Sequence, residues 1–521
     1  MDSLLVFVLV WGVWLITPVL IDGMDAVSRL VVVKSRQRQF SRRRHLSDDE
    51  LPTVSLIVPA YNEAEVIDRC LTSIKAQDYP HEKFEIIVVD DGSDDGTPEK
   101  VEHHANGGTA ENGDAFRLRG RAIRVGPFRG TITLIRRERG GKSQALNAGI
   151  ESSSGEIVIN IDSDVVLHHH AIRNIAAAFV RDPELGALTG NIEIDWDVLE
   201  ARDEEGRLVL DEEGHVVPRP LDTMERFLSK SQFLEFLSSF DLGRRSQALT
   251  GTMFTLAGAC SAFRRDILPC GPCYSNTTVS EDTCLTFELH RNDVKIGFAE
   301  DAKVYLEPVV NWDELYAQRA RWTRGQLEVC GMHEEIIGKH THGAFSRRSL
   351  PKTLLLDHTL AFPRLIWAPL ILFFPMLGYS WAVIGMALAG MYAFYVAIEA
   401  LNTVTVFAIS DEHTRSRIEQ CGWTLLFLPL FRFIVFHFRF SGFLVTLMEE
   451  PQWTIKGPVD EMQDGLRLMR VRSIEFVTMM VGSLTTAVLR VGRFALSTLG
   501  PLLVTLVVLA GRFDAYWKRS A

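Results

Sequence analysis

Residues 156–167, EIVINIDSDVVL, decide how the middle of the chain folds. The apolar run 157–159 predicts a buried strand, and two carboxylates one residue apart, Asp162 and Asp164, follow it. A buried strand that ends in such a turn brings acidic oxygens to the edge of a sheet, where open α/β sheets bind their ligands. Hard divalent cations such as Mg²⁺ take oxygen ligands and often bridge to phosphates. The stretch therefore indicates a metal–diphosphate site, and the alternative is a loop with two solvated aspartates.

Two strand patterns upstream also end in acids. Residues 54–58 lead to Glu63, and residues 84–89 lead to Asp90 and Asp91. Together with the stretch above, three strand ends carry carboxylates. One acidic strand end is weak evidence, whereas three along one sheet edge indicate a nucleotide pocket.

A further strand pattern, residues 131–135, leads into Arg139-Gly-Gly-Lys142-Ser143 and then a helix. The Gly-Gly-Lys stretch lacks the GxxxxGK[ST] spacing of phosphate loops, so Lys142 is interpreted as a cation beside the same pocket. Strands that alternate with helices through short loops predict a parallel, doubly wound α/β sheet of the Rossmann-like kind.

Length and composition indicate a mixed chain. Its 521 residues exceed one ordinary domain. A hydrophobic content of 47% and a mean hydropathy of +0.07 are high for a soluble enzyme and low for a protein made only of membrane helices. The net charge of −11 argues against a nucleic-acid binder, which normally shows a basic footprint.

The seven cysteines are odd in number and irregularly spaced, so they predict no disulfide framework and fit a reducing, cytoplasmic setting. Cys270 and Cys273 enclose Gly-Pro and match the thioredoxin-type CxxC spacing. Their flanks predict a turn instead of a strand–motif–helix unit. Redox chemistry or metal binding at this pair is the alternative.

Apolar blocks predict membrane segments. Residues 3–21 carry no charge and are long enough for one transmembrane helix, while Asp2 argues against the positive n-region of a signal peptide. The basic run 34–44 follows, which places the next part of the chain in the cytoplasm. Residues 365–410 predict a hairpin of two crossings that breaks near Gly378.

Two later apolar blocks are ambiguous. The block 423–448 contains Arg432, His437 and Arg439, which are costly inside a bilayer, so an interfacial or re-entrant helix is predicted there. The block 476–509 fits either two short crossings or an amphipathic pair of helices.

Two segments look like additions to the sheet. Residues 102–124 are rich in Gly and Asn and predict a flexible loop, and residues 195–221 predict a surface hairpin. His168, His169 and His170 are interpreted as a solvated polar cluster, not as a metal site.

Residues 224–242 alternate aromatic and polar side chains and are followed by Arg244 and Arg245. Such a helix suits a membrane interface, and a core-facing helix is the equal alternative. The small residues of 255–264 allow a ligand or a backbone to approach closely.

Seven motifs follow one another along residues 54–325: PAYNE, DDGSDDGT, GGKSQALNAG, DSD, GACSAFR, SED and QRARW. With the flanking apolar blocks and the segment Trp453-Thr-Ile-Lys456-Gly457, this ordered set resembles the processive family 2 glycosyltransferases of membranes. That group includes cellulose, chitin, hyaluronan and poly-N-acetylglucosamine synthases. Ser280 stands where the family usually has Thr, but the key acid of that motif, Asp282, is kept.

The resemblance implies a GT-A fold and an inverting transfer from a UDP-sugar, UDP-GlcNAc first and UDP-glucose next, into a β-linked polysaccharide that crosses the membrane. The general base would be Asp282. The nucleotide sugar would be bound by Glu63, Asp90, Asp91, Lys142, Asp162, Asp164 and Arg321. The acceptor would be bound by Gln318, Arg319, Trp322, Cys260, Ser261 and Glu281. The metal, Mg²⁺ or Mn²⁺, would be held by Asp164 and Asp162.

The residue types agree with that chemistry. A positioned carboxylate can take the proton of the acceptor hydroxyl, which contributes about 10²–10⁴-fold in rate. The leaving UDP gathers negative charge, which a metal and Arg321 would stabilise. Trp322 offers a flat apolar face to a sugar ring, and its alternative is a packed interfacial tryptophan.

This interpretation divides the chain into six segments. They are an N-terminal transmembrane helix (1–33), a basic cytoplasmic linker (34–51), a GT-A domain with interfacial helices (52–345), a transmembrane hairpin (346–410), an interfacial or re-entrant helix with the Trp-x-x-Lys segment (411–460) and C-terminal membrane-associated helices (461–521). The expected location is the cell membrane, with several passes and a cytoplasmic catalytic domain. The expected partners are the UDP-sugar, the polysaccharide, the lipid bilayer and accessory export or regulatory subunits.

Two other classes of function stay open. A non-processive membrane glycosyltransferase that makes a lipid-linked sugar would share the acidic motifs but would not be expected to carry QRARW. A catalytically silent transporter or scaffold would keep the spans but would not need to preserve every acid.

Overall fold

A computed structural model describes residues 17–40, 46–107, 115–118, 121–124, 128–196, 199–200, 217–268, 273–339, 342–354 and 371–448. The strands of these ranges are β1 (Val54–Ala60), β2 (Phe84–Asp90), β3 (Ala115–Leu118), β4 (Arg121–Arg124), β5 (Thr131–Arg136), β6 (Ile157–Ile161), β7 (Val166–Leu167), β8 (Leu185–Ile194), β9 (Leu199–Glu200), β10 (Pro218–Arg219), β11 (Cys260–Arg264) and β12 (Lys295–Leu306).

The longer helices of the same ranges are α1 (Thr17–Phe40), α2 (Ile67–Lys75), α3 (Thr97–Ala105), α4 (Lys142–Ser152), α5 (Ala171–Arg181), α6 (Thr223–Phe236), α7 (Gly243–Thr250), α8 (Glu281–Arg291), α9 (Trp312–Met332), α10 (Trp381–Ile409), α11 (Glu412–Glu419) and α12 (Thr424–Met448). A π-helical segment, Leu237–Leu242, joins α6 to α7 without a break.

Eight of the described strands form one sheet in the order β5-β2-β1-β6-β11-β8-β12-β7. β1 and β6 are buried along their whole length, as expected for strands that helices cover on both faces. Residues 54–58, 84–89, 131–135 and 157–159 are all strands, as the apolar runs predicted.

The prediction of a parallel sheet is confirmed for the four strands from which it was made, but the sheet as a whole is mixed. β5, β2, β1 and β6 are parallel neighbours, but β11 lies antiparallel between β6 and β8, and β7 is antiparallel to β12. The direction of β11 depends on the helical excursion of α6 and α7 that precedes it. A hydrophobic run indicates that a strand is buried. It does not indicate whether a strand distant in sequence pairs parallel or antiparallel to it.

The prediction of an unstructured loop over residues 102–124 is also wrong in part. α3 continues to Ala105, and β3 pairs with β4 as an antiparallel hairpin. The short strands β9 and β10 pair as well, which agrees with the hairpin predicted around residues 195–221.

The aromatic helix α6 faces the core, which settles the choice left open by the sequence. It begins with a capping box, because the Asp222 carboxylate accepts from the Glu225 N–H at 2.8 Å and the Glu225 carboxylate accepts from the Asp222 N–H at 2.9 Å. Leu228, Phe233 and Leu234 are buried in the main core.

Arg244 and Arg245 are buried in the catalytic region and do not flank a membrane surface. Arg244 donates to Thr189 Oγ1 at 3.0 Å, and Arg245 forms ion pairs with Asp241 and Glu300. Buried arginines need such partners because an unpaired charge is costly away from water.

Two described helices are long and apolar enough to cross a membrane by length and composition, Trp381–Ile409 and Thr424–Phe443. α10 begins after Gly378, whose φ of 92° makes the break that the sequence predicted there. α1 continues through the first residues of the predicted basic linker as far as Phe40. The predicted spans at residues 3–16 and 476–509, the first arm of the hairpin at 365–370 and the Trp453–Gly457 segment lie outside the described residues.

The three consecutive histidines lie in a polar turn before α5. His170 pairs with Asp78 at 3.1 Å, and His168 Nδ1 accepts from the His170 N–H at 3.4 Å. Cys273 lies in a loop, where its N–H donates to Asn147 Oδ1 at 2.9 Å, and its predicted partner Cys270 lies outside the described residues.

Candidate active site

The acidic strand ends lie along one edge of the sheet. β1 pairs in parallel with both β2 and β6, so the residues that follow these strands leave the sheet on the same side. Ala60 is opposite Asp90 at that edge, and Asp162 follows directly after β6. The parallel half of the fold thus assembles the acids that the sequence shows separately.

Lys142 lies at the centre of the acids. Its Nζ is 2.5 Å from Asp162 Oδ1 and 3.8 Å from Glu281 Oε1. Burial alone would lower the pKa of Lys142, but the negative charges of Asp162 and Glu281 outweigh it and raise this pKa above its usual range. Lys142 therefore stays cationic, with its amine in the acidic cleft.

The backbone of Gly258 lies close to these groups, and the glycine places no side chain between them. A Cβ added to Gly258 would lie 3.2 Å from Lys142 Nζ, 3.6 Å from Asp282 Oδ2 and 3.7 Å from Asp162 Oδ2. One point in the cleft is therefore within reach of a cation and two carboxylates, and a side chain at Gly258 would fill it.

Asp282 is held firmly at the first turn of α8. Its Oδ1 accepts from the Thr283 N–H at 2.6 Å and from Ser280 Oγ at 3.0 Å, while its Oδ2 accepts from the Gly258 N–H at 3.2 Å. A carboxylate is favoured near a helix N-terminus by the helix dipole. The serine that replaces the usual threonine thus still contacts the acid of the motif.

Asp90 and Asp91 accept hydrogen bonds from neighbouring loops. The Asp91 carboxylate accepts from the Gly140 N–H at 3.0 Å and from the Gly141 N–H at 2.6 Å. The Asp90 carboxylate accepts from the Ser93 N–H at 3.3 Å. Asp91 therefore fixes the glycine turn from which α4 begins, and this turn positions Lys142.

Glu63 and Asp164 share the acidic cleft. Burial, with a contribution from Asp164, raises the pKa of Glu63 to about 7. Burial, with a contribution from Asp162, raises the pKa of Asp164 to about 6. Burial also raises the pKa of Glu281 to about 7, although Lys142 opposes the shift. These carboxyls destabilise one another's charge, which an incoming cation would relieve.

Cys260 and Ser261 lie on β11 beside the end of β6. Cys260 pairs with Ile161, and burial raises the pKa of its thiol to about 12, so the thiol is not ionised at neutral pH. Ser261 is also buried, opposite Asn160. Both lie next to the acidic turn, and their predicted contact with an acceptor remains a prediction.

The QRARW residues lie on α9. Two of them, Arg319 and Trp322, contact other side chains of the protein. Arg319 is buried, pairs with Glu235 Oε2 at 2.6 Å and lies 4.4 Å above the Trp322 ring. Gln318 Oε1 is buried without a hydrogen bond from the part of the chain that the structure describes. Arg321 is half-buried on the same helix.

Arg244 and Gly258 belong to this site and were not predicted to do so. Arg244 is buried close enough to Asp282 for their charges to interact, although burial lowers its pKa to about 10. Gly258 lies against Lys142 and supplies the N–H that binds Asp282. The small-residue stretch 255–264 is the only sequence signal for Gly258, and the paired arginines resembled a membrane flank.

Within the described ranges, no group of three or more His, Cys, Asp or Glu side chains is arranged to hold a metal ion. Asp162 and Asp164 nevertheless present only oxygen donors, and burial, together with the charge of Asp162, raises the pKa of Asp164 to about 6. Mg²⁺ is usually bound by one or two carboxylates together with substrate phosphates. The carboxylate oxygens of Asp162 and Asp164 therefore fit a divalent cation that binds together with a diphosphate.

Fold and site together define a GT-A-like α/β protein with an acidic cleft at the strand ends. Residues 55–271 match the family model "Glycosyl transferase family 2", and residues 213–410 match "Glycosyl transferase family group 2". The chain therefore contains glycosyltransferase family 2 domains, as the ordered motifs predicted.

Curated relatives include poly-beta-1,6-N-acetyl-D-glucosamine synthases. The one from Staphylococcus aureus (strain COL) is 26% identical over 314 residues, which cover 60% of this chain and 64% of the relative. The one from Staphylococcus epidermidis is 27% identical over 302 residues, 58% of either chain. The alignments thus span less than two thirds of these relatives.

Comparison with solved structures finds a mannosyltransferase from Pyrobaculum calidifontis in complex with GDP-Man and Mn²⁺. Its TM-score is 0.48, with 19% identity over 75% of this chain and 96% of that one. S. aureus TarS 1–349 in complex with UDP-GlcNAc has a TM-score of 0.37 and 16% identity over 75% of this chain and 91% of that one. Likenesses at this level carry no argument about activity.

Proposed function

We propose that this family 2 glycosyltransferase polymerises a sugar from a UDP-sugar into a β-linked polysaccharide by inverting transfer. The observation that carries the proposal is the convergence of Lys142, Asp162 and Asp282 on one point beside Gly258. A displacement at a sugar carbon needs positive charge beside the leaving group and a base beside the attacking hydroxyl. Lys142 and a metal bound by Asp162 would supply the charge, and Asp282 would be the base.

The transfer forms one bond and breaks one. The acceptor hydroxyl oxygen attacks the anomeric carbon of the donor, its proton passes to the Asp282 carboxylate, and UDP leaves with the electron pair of the broken bond. Asp282 is oriented for this step by Thr283, Ser280 and Gly258. Attack from the face opposite UDP gives the inverted, β-linked product.

Donor binding draws on the residues of the acidic edge. Lys142 would turn from Asp162 to the diphosphate, and Asp162 and Asp164 would hold Mg²⁺ or Mn²⁺ against the same phosphates. When bound, this metal supplies positive charge that stabilises the departing UDP. Glu63, Asp90, Asp91 and Arg321 belong to the same donor site in this proposal, with Asp91 acting through the glycine turn that it binds.

The curated relatives favour one sugar donor over the other. Poly-beta-1,6-N-acetyl-D-glucosamine synthases are the curated proteins that this chain is similar to, so UDP-GlcNAc is the first donor and UDP-glucose the second. The acceptor would lie along Cys260, Ser261 and Glu281 and against α9, where Trp322 presents a half-buried ring.

The test is UDP release by the full chain, purified in detergent and given single UDP-sugars with Mg²⁺ or Mn²⁺. We expect UDP release from UDP-GlcNAc and a polymer that a matching glycosidase digests. Release of UDP without any polymer would favour the non-processive alternative. No UDP from any UDP-sugar would overturn the proposal.

Packing supports an interfacial position for α12 within a chain that is anchored in the membrane by its apolar segments. Ser441 Oγ is 2.5 Å from Tyr316 Oη, the Phe438 ring lies 5.3 Å from that of Tyr316, and Gly442 packs against Ala320. α12 thus lies along α9, whose arginines disfavour the bilayer core. The energetic argument from Arg432 is weaker than the sequence suggested, because Glu399 neutralises it.

The segment after α12 lies outside the described residues, and its predicted position on the cytoplasmic side stays a prediction. A single cysteine at Gln452 on a cysteine-free background should react with an impermeant reagent only after the membrane is opened. Labelling in intact cells would refute the interfacial position of α12.

A further inference from the structure

One ion pair joins the two apolar helices α10 and α12. Arg432 of α12 forms an ion pair with Glu399 of α10, and its Nη2 donates a hydrogen bond to Glu399 Oε2 at 3.2 Å. Glu399 is only 6% exposed. A hydrogen bond between ionised partners is roughly twice as strong as one between neutral groups.

The same guanidinium also reaches the catalytic region. Arg432 Nη2 donates to Ser238 Oγ at 2.5 Å, and Arg29 of α1 donates to the Ser238 carbonyl at 3.4 Å. Ser238 lies in the π-helical segment between α6 and α7. Single π-helical turns are rare and occur frequently at functional sites. Two helices outside the sheet, α12 and α1, therefore contact Ser238, and α10 is linked to it through Glu399 and Arg432.

The π-helical segment adjoins the aromatic cluster formed by Phe236, Phe240 and Trp322. The rings of Phe236 and Phe240 stack with centroids 4.3 Å apart, and the Phe240 ring meets the Trp322 ring edge-on at 6.1 Å. Arg319 lies over two of these rings, 5.7 Å from the Phe236 centroid and 4.4 Å from that of Trp322. A shift of the segment around Ser238 would therefore move the ring on which the acceptor is proposed to lie.

We propose that Glu399 and Arg432, acting through Ser238, position the aromatic cluster for the acceptor sugar. All three are positioning residues, because their contacts are with one another and not with the acidic cleft. The inference rests on the proposed function, since it assigns them a part in elongation. It predicts that breaking the pair affects the acceptor side more than the donor side.

The experiment compares polymer elongation with donor hydrolysis in the full chain in detergent. Glu399→Gln removes the charge and keeps the shape. Ser238→Ala removes the hydrogen bond from Arg432 and the one that Ser238 Oγ donates to the Glu235 carbonyl at 3.0 Å, and it leaves the ion pair intact. We expect elongation to fall about tenfold or more and hydrolysis to stay within about twofold, because a misplacement of about 1 Å can cost about 10²-fold in rate. The matched control is Ser239→Ala, a half-buried neighbour in the same segment, which should behave as the unmodified chain.

Rescue separates positioning from a general role in folding. The double variant Glu399→Arg with Arg432→Glu restores opposite charges at the two positions and should recover part of the elongation that Glu399→Gln loses. If Glu399→Gln does not fold, Ser238→Ala decides the question alone, through the ratio of elongation to hydrolysis.

Two results would overturn the inference while the proposed function stands. One is an active unmodified chain in which Ser238→Ala and Glu399→Gln leave elongation unchanged. The other is an equal loss of elongation and hydrolysis, which is what a purely structural contact would give. An unmodified chain that releases no UDP from any UDP-sugar refutes the proposed function itself, and the inference with it.

Discussion

Replacing Asp282 by Asn removes the proposed base at almost constant shape. The amide cannot accept the proton of the acceptor hydroxyl, so transfer should be lost. The hydrogen bonds of the structure add a second consequence. Both carboxylate oxygens face N–H donors, Thr283 at 2.6 Å and Gly258 at 3.2 Å. The NH₂ group of the amide must therefore face one of these donors.

The magnitude follows from that geometry. One backbone N–H loses its acceptor, which costs about 1–3 kcal/mol for a buried group. The Gly258 N–H is the more distant donor, so the amide should turn its NH₂ towards Gly258 and keep its oxygen on Thr283. We expect a modest loss of thermal stability and a fall in turnover of about 10²–10⁴-fold, the usual contribution of a general base.

The assay measures turnover by polymer formation, UDP affinity by calorimetry with Mn²⁺ present, and stability by thermal unfolding in detergent. UDP affinity should be nearly unchanged, because the cation and metal side of the cleft is left intact. Asp266→Asn is the matched control, since Asp266 is exposed and its replacement should leave all three measurements unchanged. Near-normal turnover of the Asp282→Asn variant would refute the assignment of the base.

Three further predictions follow from the cleft and from α9. Asp164→Ala should weaken UDP binding only when Mn²⁺ is present, and an unchanged affinity would remove Asp164 from the metal site. Trp322→Ala should reduce elongation more than donor hydrolysis, whereas an equal loss of both would indicate a folding role. Gly325→Ala should lower both stability, by about 1–3 kcal/mol, and turnover, because its Cβ would come within 2.5 Å of the Ser280 Cβ beside the proposed base. Gly331→Ala on the same helix is its control: the added Cβ meets no described atom within 4 Å, and a helical Gly→Ala change should stabilise by up to about 1 kcal/mol.

The aromatic helix α6 shows where sequence patterns stop being informative. Its alternation of Phe and Leu with polar residues is compatible with a lipid surface or a protein core, because both reward the same apolar face. Contacts decide between them, and here Phe233 and Leu234 pack in the core while Arg245 pairs with Asp241 and Glu300. Local periodicity contains no information about the partner of a face.

The amino-acid sequence by itself determined the strands, the acids that end them, the membership in family 2 and the break at Gly378. Each is a local property, because a few neighbouring residues are enough to produce an apolar run, a motif or a glycine with positive φ. Only the tertiary structure decided that β11 runs antiparallel and that Lys142 pairs with Asp162. It also decided that Gly258 lies against Lys142 and Asp282, and that Glu399 neutralises Arg432. These contacts join residues from 20 to more than 100 positions apart. They depend on how the elements pack, and no local pattern encodes that packing.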